Sequence, residues 1–248
     1  MKPFVEGCGC FPVGKHYAGI AHLIRVQATG IVDGFDAETK WIDLPIALID
    51  VETTGKDPAA DRIVEIGIVI GRGGEIVERR SWLVNPGRAI PEESRAVHGI
   101  TDEMVKEAPP FSAIKDDVVG LLKGVVPAAY NASFDRGFVL AELERAGVES
   151  EALPASLAPN VEWIDPLIWA RELQSETGKS LGHVTKRLGI TVETAHRATD
   201  DAEAALRVMY AFAKDVRVPA SYAGLTQEQR RLARVQDEQW KRERWRNR

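Results

Sequence analysis

The chain has 248 residues, 44% of them hydrophobic and 28% charged, with a formal net charge of −5. That length suits one large domain, or a domain of about 170 residues with attachments, and it is enough to bury a substantial core. No apolar run approaches the roughly 18 residues of a membrane span, no signal-type apolar block opens the chain, and two cysteines, Cys8 and Cys10, imply no disulfide framework, so the expectation is a soluble cytoplasmic protein.

In chain order, residues 1–44 show no clear period and read as an N-terminal extension. Residues 46–52 (IALIDVE) read as a short buried strand between Pro45 and a TTG turn. Residues 62–71 and 75–84 are β-rich and flank a glycine turn, which predicts a hairpin. Two short helical pieces follow, then a fourth strand over 126–131 and a helix capped by Ser133 and closed by Gly147. A fifth strand is expected over 161–165 (VEWID), and three further helices complete a core spanning 45–215. The pattern predicts an α/β fold with a mixed sheet covered by helices. Pro219 and Gly224 read as a linker, so 216–248 is expected to be a linker and a basic helical tail. Residues 226–248 carry eight Lys/Arg against four Asp/Glu, leaving the rest of the chain at −9. An acidic body with a basic tail suits an enzyme that handles anions through metal ions, or simply a solvated helix.

The first strand raises the chemical question. Side chains two apart on a strand share a face, so Asp50 and Glu52 stand roughly 6–7 Å apart. At an effective dielectric of about 20 they repel by on the order of 2–3 kcal/mol. Either a hard divalent cation or a solvated strand end relieves that repulsion. Asp135, in NASFDRGF, falls in the first turn of a helix, where the dipole favours an anion. In HRATDDA, the apolar stripe of Ala205, Val208 and Phe212 extends back to Asp201, whereas Asp200 falls on the solvent face. His196 immediately precedes that helix. Four converging carboxylates cannot all stay ionised without compensation, and two Mg²⁺ or Mn²⁺ ions supply it. Such a pair suits in-line displacement at phosphorus, with a histidine accepting the proton of the attacking water.

With these residues in place, the sequence resembles the DnaQ-like DEDDh 3′-to-5′ exonucleases, including proofreading subunits of bacterial replicative polymerases and their stand-alone relatives. The resemblance rests on DVETTG (50–55), RAVHGIT (95–101), NASFDRGF (131–138), SLGHVTKRLGI (180–190) and HRATDDA (196–202), in that order over 46–214. It implies a ribonuclease H-like fold with a five-stranded mixed sheet flanked by helices. It implies metal ligation by Asp50, Glu52, Asp135 and Asp201, and a general base at His196, five residues before Asp201. It also implies that Thr53, Thr54, His98, Asn131 and Phe134 adjoin the 3′-terminal nucleotide.

The implied activity is hydrolysis from the 3′ end to release nucleoside 5′-monophosphates with two divalent ions. The expected partner is nucleic acid with a free 3′ end, single-stranded by preference, with no membrane. A DNA polymerase or another replication or repair protein is the second expected partner. DNA is the expected substrate; a trimming exoribonuclease or a polymerase-associated binding module are the alternatives, since nothing in the sequence reads a 2′-OH. Residues 1–44 have no counterpart in the minimal family domain, and the spacing of Cys8, Cys10, His16 and His22 fits no recurring zinc pattern. Trp240 and Trp245 among arginines suit phosphate and base contacts, or a protein partner.

Overall fold

The computed structural model describes residues 30–191 and 197–246. Cys8, Cys10, His16, His22 and His196 lie outside the described residues.

Strand β1 (Ile46–Thr53) is buried on both faces from Ile46 to Ile49, and only at Asp50 and Glu52 do side chains reach partial exposure. Two acids on one face partly open that side of the strand, while Val51 and Thr53 on the other face stay buried. β2 (Ile63–Arg72) pairs antiparallel with it, and β3 (Glu75–Leu83) pairs antiparallel with β2. The hairpin between them turns on Gly73 and Gly74, at φ 64° and 88°, which suits the primed two-residue turns that match strand twist. Three short helices follow: α1 (Glu92–His98), α2 (Asp102–Val105) and α3 (Phe111–Leu121). β4 (Val126–Ala128) then returns parallel to β1, giving the order β3-β2-β1-β4.

The expected fifth strand is the first correction. Residues 161–165 lie beside β4, but only one parallel bridge forms, between Ala128 and Ile164. The segment ends at Asp165 and Pro166, where a proline without an N–H opens the next helix, so pairing stops after one rung. The fold is therefore a mixed four-stranded sheet among the described residues, with the fifth position marked by that bridge.

Helix α4 (Ala132–Arg145) follows β4. Ser133 is not its cap. Asn131 occupies that position in a left-handed conformation (φ 74°), which asparagine tolerates better than most residues, and its side chain makes no capping bond. The carboxylate of Asp165 takes over, accepting from the backbone N–H of Asn131 (2.9 Å) and Ala132 (3.0 Å), and also from Leu167 (2.9 Å) at the start of α5 (Pro166–Leu173). One buried carboxylate thus fixes two helix starts. At the other side, the Glu142 carboxylate, 1% exposed, accepts from Arg62 Nε (2.6 Å) and Nη2 (2.9 Å) and from Ile63 N (3.2 Å), tying α4 to the start of β2.

Helices α6 (Leu181–Leu188), α7 (Ala198–Phe212) and α8 (Tyr222–Arg246) complete the fold. The stripe anticipated on α7 is buried: Ala205, Leu206, Val208, Met209 and Phe212 pack against β1 and β2. The core runs across positions 45 and 215. Ile31, Val32, Trp41 and Leu44 join it from before β1, and Val218, Tyr222, Leu225 and Leu232 from after α7. Gln229 is buried and holds α8 to the 161–165 segment, donating to Trp163 O (2.9 Å) and accepting from Asp165 N (2.8 Å). Only the distal part of α8 stands away, with Trp240 and Trp245 exposed.

Candidate metal centre

β1 delivers Asp50 and Glu52 to one face of the sheet, and α7 delivers Asp201 onto them. Each of the three offers a carboxylate oxygen, and these oxygens lie within 4.8 Å of one another. Asp135 approaches from α4: it is 3% exposed, and its Oδ1 accepts from Val51 N at 3.1 Å, between the two β1 acids. Asp200, as its place on the helix predicted, faces out and pairs with Arg79 Nη2 at 3.0 Å.

The cluster is under electrostatic stress. Burial pushes the Asp50 carboxyl well above its ordinary value, and Asp135, Glu52, Asp201 and Glu65 add to the shift. Glu52 is pushed up to about 8, by burial first and then by Asp201 and Glu65. Burial also raises Asp135, opposed by the Val51 N–H. Carboxylates held this way bind protons or a cation in preference to standing ionised side by side. The donors are all hard oxygens, so the residues present fit divalent ions of the Mg²⁺ and Mn²⁺ type.

Close approach of α7 to the sheet depends on Gly67. A Cβ there would lie 2.4 Å from the Ala198 carbonyl carbon and 2.5 Å from Thr199 N, so only glycine lets the helix start rest on β2. Gly67 pairs with Asp50 across the ladder, which puts the contact beside the acid cluster.

The other expected residues have partners of their own. Thr53 and Thr54 are buried in the turn that follows Glu52. Thr53 Oγ1 donates to Gly55 O (2.5 Å); Thr54 Oγ1 donates to Asp61 Oδ1 (3.3 Å) and accepts from Arg62 N (3.0 Å). Both hydroxyls therefore shape the turn. Asn131 is exposed at the start of Asp135's helix, and Phe134 packs on Phe138 with ring centroids 4.9 Å apart. His98 is buried at the end of α1, its Nδ1 accepting from Ile100 N at 3.0 Å.

Sequence reasoning missed four residues that build this centre: Glu65, Gly67, Asp165 and Arg197. Glu65 had a readable signal, because a single acid inside the apolar run RIVEIGIVIG needs a cationic partner once buried. Asp165 had one too, since Asp followed by Pro at the first helical position is a helix-start signature. Gly67 and Arg197 had none that one strand or one helix could disclose.

Comparison with known proteins agrees with this architecture. A family model described as Exonuclease matches residues 47–209. The chain is 32% identical over 244 residues to a DNA polymerase III PolC-type protein of Streptococcus thermophilus, covering 94% of this chain and 16% of that protein. It is 35% identical over 158 residues to the 3′-5′ exonuclease DinG of Bacillus subtilis, covering 63% of this chain and 16% of that protein. The chain thus spans about one sixth of the length of these curated relatives. Among solved structures, exonuclease X in complex with 5′ overhanging duplex DNA superposes with a TM-score of 0.55 at 30% identity, covering 73% of this chain and 99% of that one. Exonuclease I shares the fold, with a TM-score of 0.61 at 19% identity over 75% of this chain and 43% of that one. A sheet that gathers Asp50, Glu52, Asp135 and Asp201, and a family match spanning all four, carry one conclusion: the chain belongs to the DnaQ-like exonuclease family.

Proposed function

We propose that this chain is a metal-dependent 3′-to-5′ exonuclease that removes nucleoside 5′-monophosphates from the 3′ end of DNA, with two Mg²⁺ or Mn²⁺ ions. The observation that carries the proposal is the convergence of the Asp50, Glu52 and Asp201 oxygens within 4.8 Å, on a site where Glu52 is pushed up to about 8. Stability alone gives no reason to build such a cluster; cation binding does.

Asp50, Glu52 and Asp201, with Asp135 beside them, are the residues that would hold the ions. When bound, divalent ions neutralise these carboxylates and stabilise the charge that develops on the phosphoryl oxygens. His196 accepts a proton from the attacking water; the water oxygen bonds to phosphorus, the bond to the O3′ of the preceding nucleotide breaks, and that O3′ takes up a proton from solvent. The products are a nucleoside 5′-monophosphate and a strand one nucleotide shorter with a new 3′-OH. Asp135, hydrogen-bonded to Val51 N, keeps its carboxyl aimed between the β1 acids. The turn after Glu52, with Thr53 and Thr54, is assigned to the 3′-terminal nucleotide, helped by His98, Asn131 and Phe134. The hydroxyl protons serve the turn and Thr54 N donates to Arg62 O (2.9 Å), so the remaining hydroxyl lone pairs are what these two side chains would offer the sugar.

DNA is favoured by the relatives: the bound ligand named for exonuclease X is DNA, and the PolC-type proteins are DNA polymerases. Service to a polymerase has its own support. The likeness to the PolC-type protein covers 94% of this chain, well beyond the 47–209 of the family domain.

The test is digestion of 5′-labelled oligonucleotides, DNA and RNA, single- and double-stranded, with Mg²⁺, with Mn²⁺ and with EDTA. A ladder that shortens from the 3′ end of DNA with metal only, and is absent for Asp50→Ala, is expected. Intact oligomers with both metals overturn the proposal, and faster loss of RNA than of DNA overturns the substrate assignment.

A further inference from the structure

The start of α7 is held by a residue that belongs to neither the acid cluster nor the helix. Glu65 lies on β2 directly opposite Glu52, and its side chain is 1% exposed. Facing residues in an antiparallel pair share a side of the sheet, so a further carboxylate stands next to the acids. Its charge is matched by Arg197, whose Nη2 lies 2.8 Å from Oε1 and whose Nε lies 3.2 Å from both oxygens. This forked geometry is one that guanidinium can make and ammonium cannot.

The same carboxylate does a second task. Arg197 occupies the N-cap position of α7 and its side chain makes no capping bond. Glu65 Oε2 instead accepts from Ala198 N, the first residue of the helix, at 3.4 Å. A carboxylate reaching from another strand thereby serves an orphan N–H at the positive end of the helix. Arg197 O in turn accepts from Asp201 N at 3.0 Å. The chain of contacts runs from Glu65 through Arg197 and Ala198 to the backbone of Asp201. In sequence, Arg197 also follows His196 directly.

We propose that Glu65 is a positioning residue: acting through Arg197, it sets the seat of α7 on the sheet and so places the Asp201 carboxylate against Asp50 and Glu52. It carries this out without binding the ions itself. The inference rests on the metal reading of the site, but its geometry is independent of any reaction.

The experiment compares Glu65→Gln, Arg197→Ala, Arg197→Lys and the Glu65→Gln/Arg197→Ala double variant of the whole chain. Three quantities are read: Mn²⁺ affinity by calorimetry, amide exchange at residues 198–201, and kcat and KM on a 5′-labelled oligonucleotide. Each of Glu65→Gln and Arg197→Ala is expected to weaken Mn²⁺ binding by about tenfold, as loss of a ligand-supporting contact does, and to lower kcat while KM stays within twofold. Exchange at 198–201 rises in both. Arg197→Lys recovers part of the loss, and the double variant is no worse than the poorer single one, because the pair acts as a unit. Folded variants whose Mn²⁺ affinity and exchange stay within twofold of wild type overturn the proposal, even if their melting temperature falls. Wild-type protein that binds Mn²⁺ yet cleaves nothing sinks the exonuclease reading and leaves titration and exchange to decide this one. If wild-type protein binds no Mn²⁺, exchange alone decides it.

Discussion

Replacing Glu52 by glutamine should stabilise the metal-free protein, and do so more strongly as pH rises. The cause is the position of its carboxyl, pushed from 4.5 up to about 8 by burial and by Asp201 and Glu65. Below pH 4.5 the group is protonated in both the folded and unfolded chains and costs nothing. Between 4.5 and about 8 the unfolded chain has released the proton and the folded chain keeps it, so folding stability falls as pH increases. At about 1.4 kcal/mol per unit, the penalty reaches about 2 kcal/mol at pH 6 and about 5 kcal/mol above pH 8. Relaxation and water entry make these upper limits, so a third of the high-pH figure, about 1.5 kcal/mol, is a conservative expectation. For a chain of this size that is a rise of about 3–6 °C in Tm. The assay is thermal or urea unfolding of wild type and Glu52→Gln in EDTA at pH 6 and pH 9, repeated with excess Mn²⁺. Metal should reverse the order, because an ion at 100 times its Kd stabilises wild type by about 2.7 kcal/mol and the variant by less. A glutamine variant no more stable than wild type at pH 9, or an advantage that does not grow with pH, refutes the electrostatic reasoning.

Two further outcomes follow from the packing. Gly67→Ala should cost about 1–3 kcal/mol, since its Cβ meets the Ala198 backbone at 2.4 Å and backbone cannot swing aside; urea unfolding checks the stability, and Mn²⁺ titration should show weakened binding as α7 is lifted. An unchanged Mn²⁺ affinity contradicts the claim that this glycine seats Asp201. Removal of residues 222–248 should abolish folding, because Tyr222, Leu225 and Leu232 belong to the core, whereas removal of 240–248 should leave Tm within about 2 °C, as exposed positions do. Circular dichroism melts separate the two, and a folded, active 1–221 fragment contradicts the continuous core.

Much of the acid-bearing face was legible in the sequence because short-range periodicity sets it. A two-residue repeat put Asp50 and Glu52 on one side of β1, and a helical repeat singled out Asp201 over Asp200, which the Arg79 pair confirms on the outer face. The glycine hairpin was legible on the same grounds, as were six of the seven described α-helices before α8, all but α2. The cap of α4 was misread because Ser133 has cap chemistry, while the conformation that starts the helix depends on a carboxylate 34 residues away, Asp165. The strand over 161–165 was over-read because β-rich composition reports burial, and only the neighbouring chain decides how many rungs form.

By itself the sequence determined which residue types could serve a cation and on which face of each element they sit, because those properties repeat every two or 3.6 residues. The tertiary structure decided everything that joins elements distant in the chain. Glu65 opposite Glu52 joins neighbouring strands, and Arg197 folded onto Glu65 and Gly67 beneath Ala198 unite residues about 130 positions apart. Those contacts arise from strand register and helix docking, where side-chain volume and charge in one element are answered by another, and no local period encodes that match. The acids were written in the sequence; the distance between them was set by the fold.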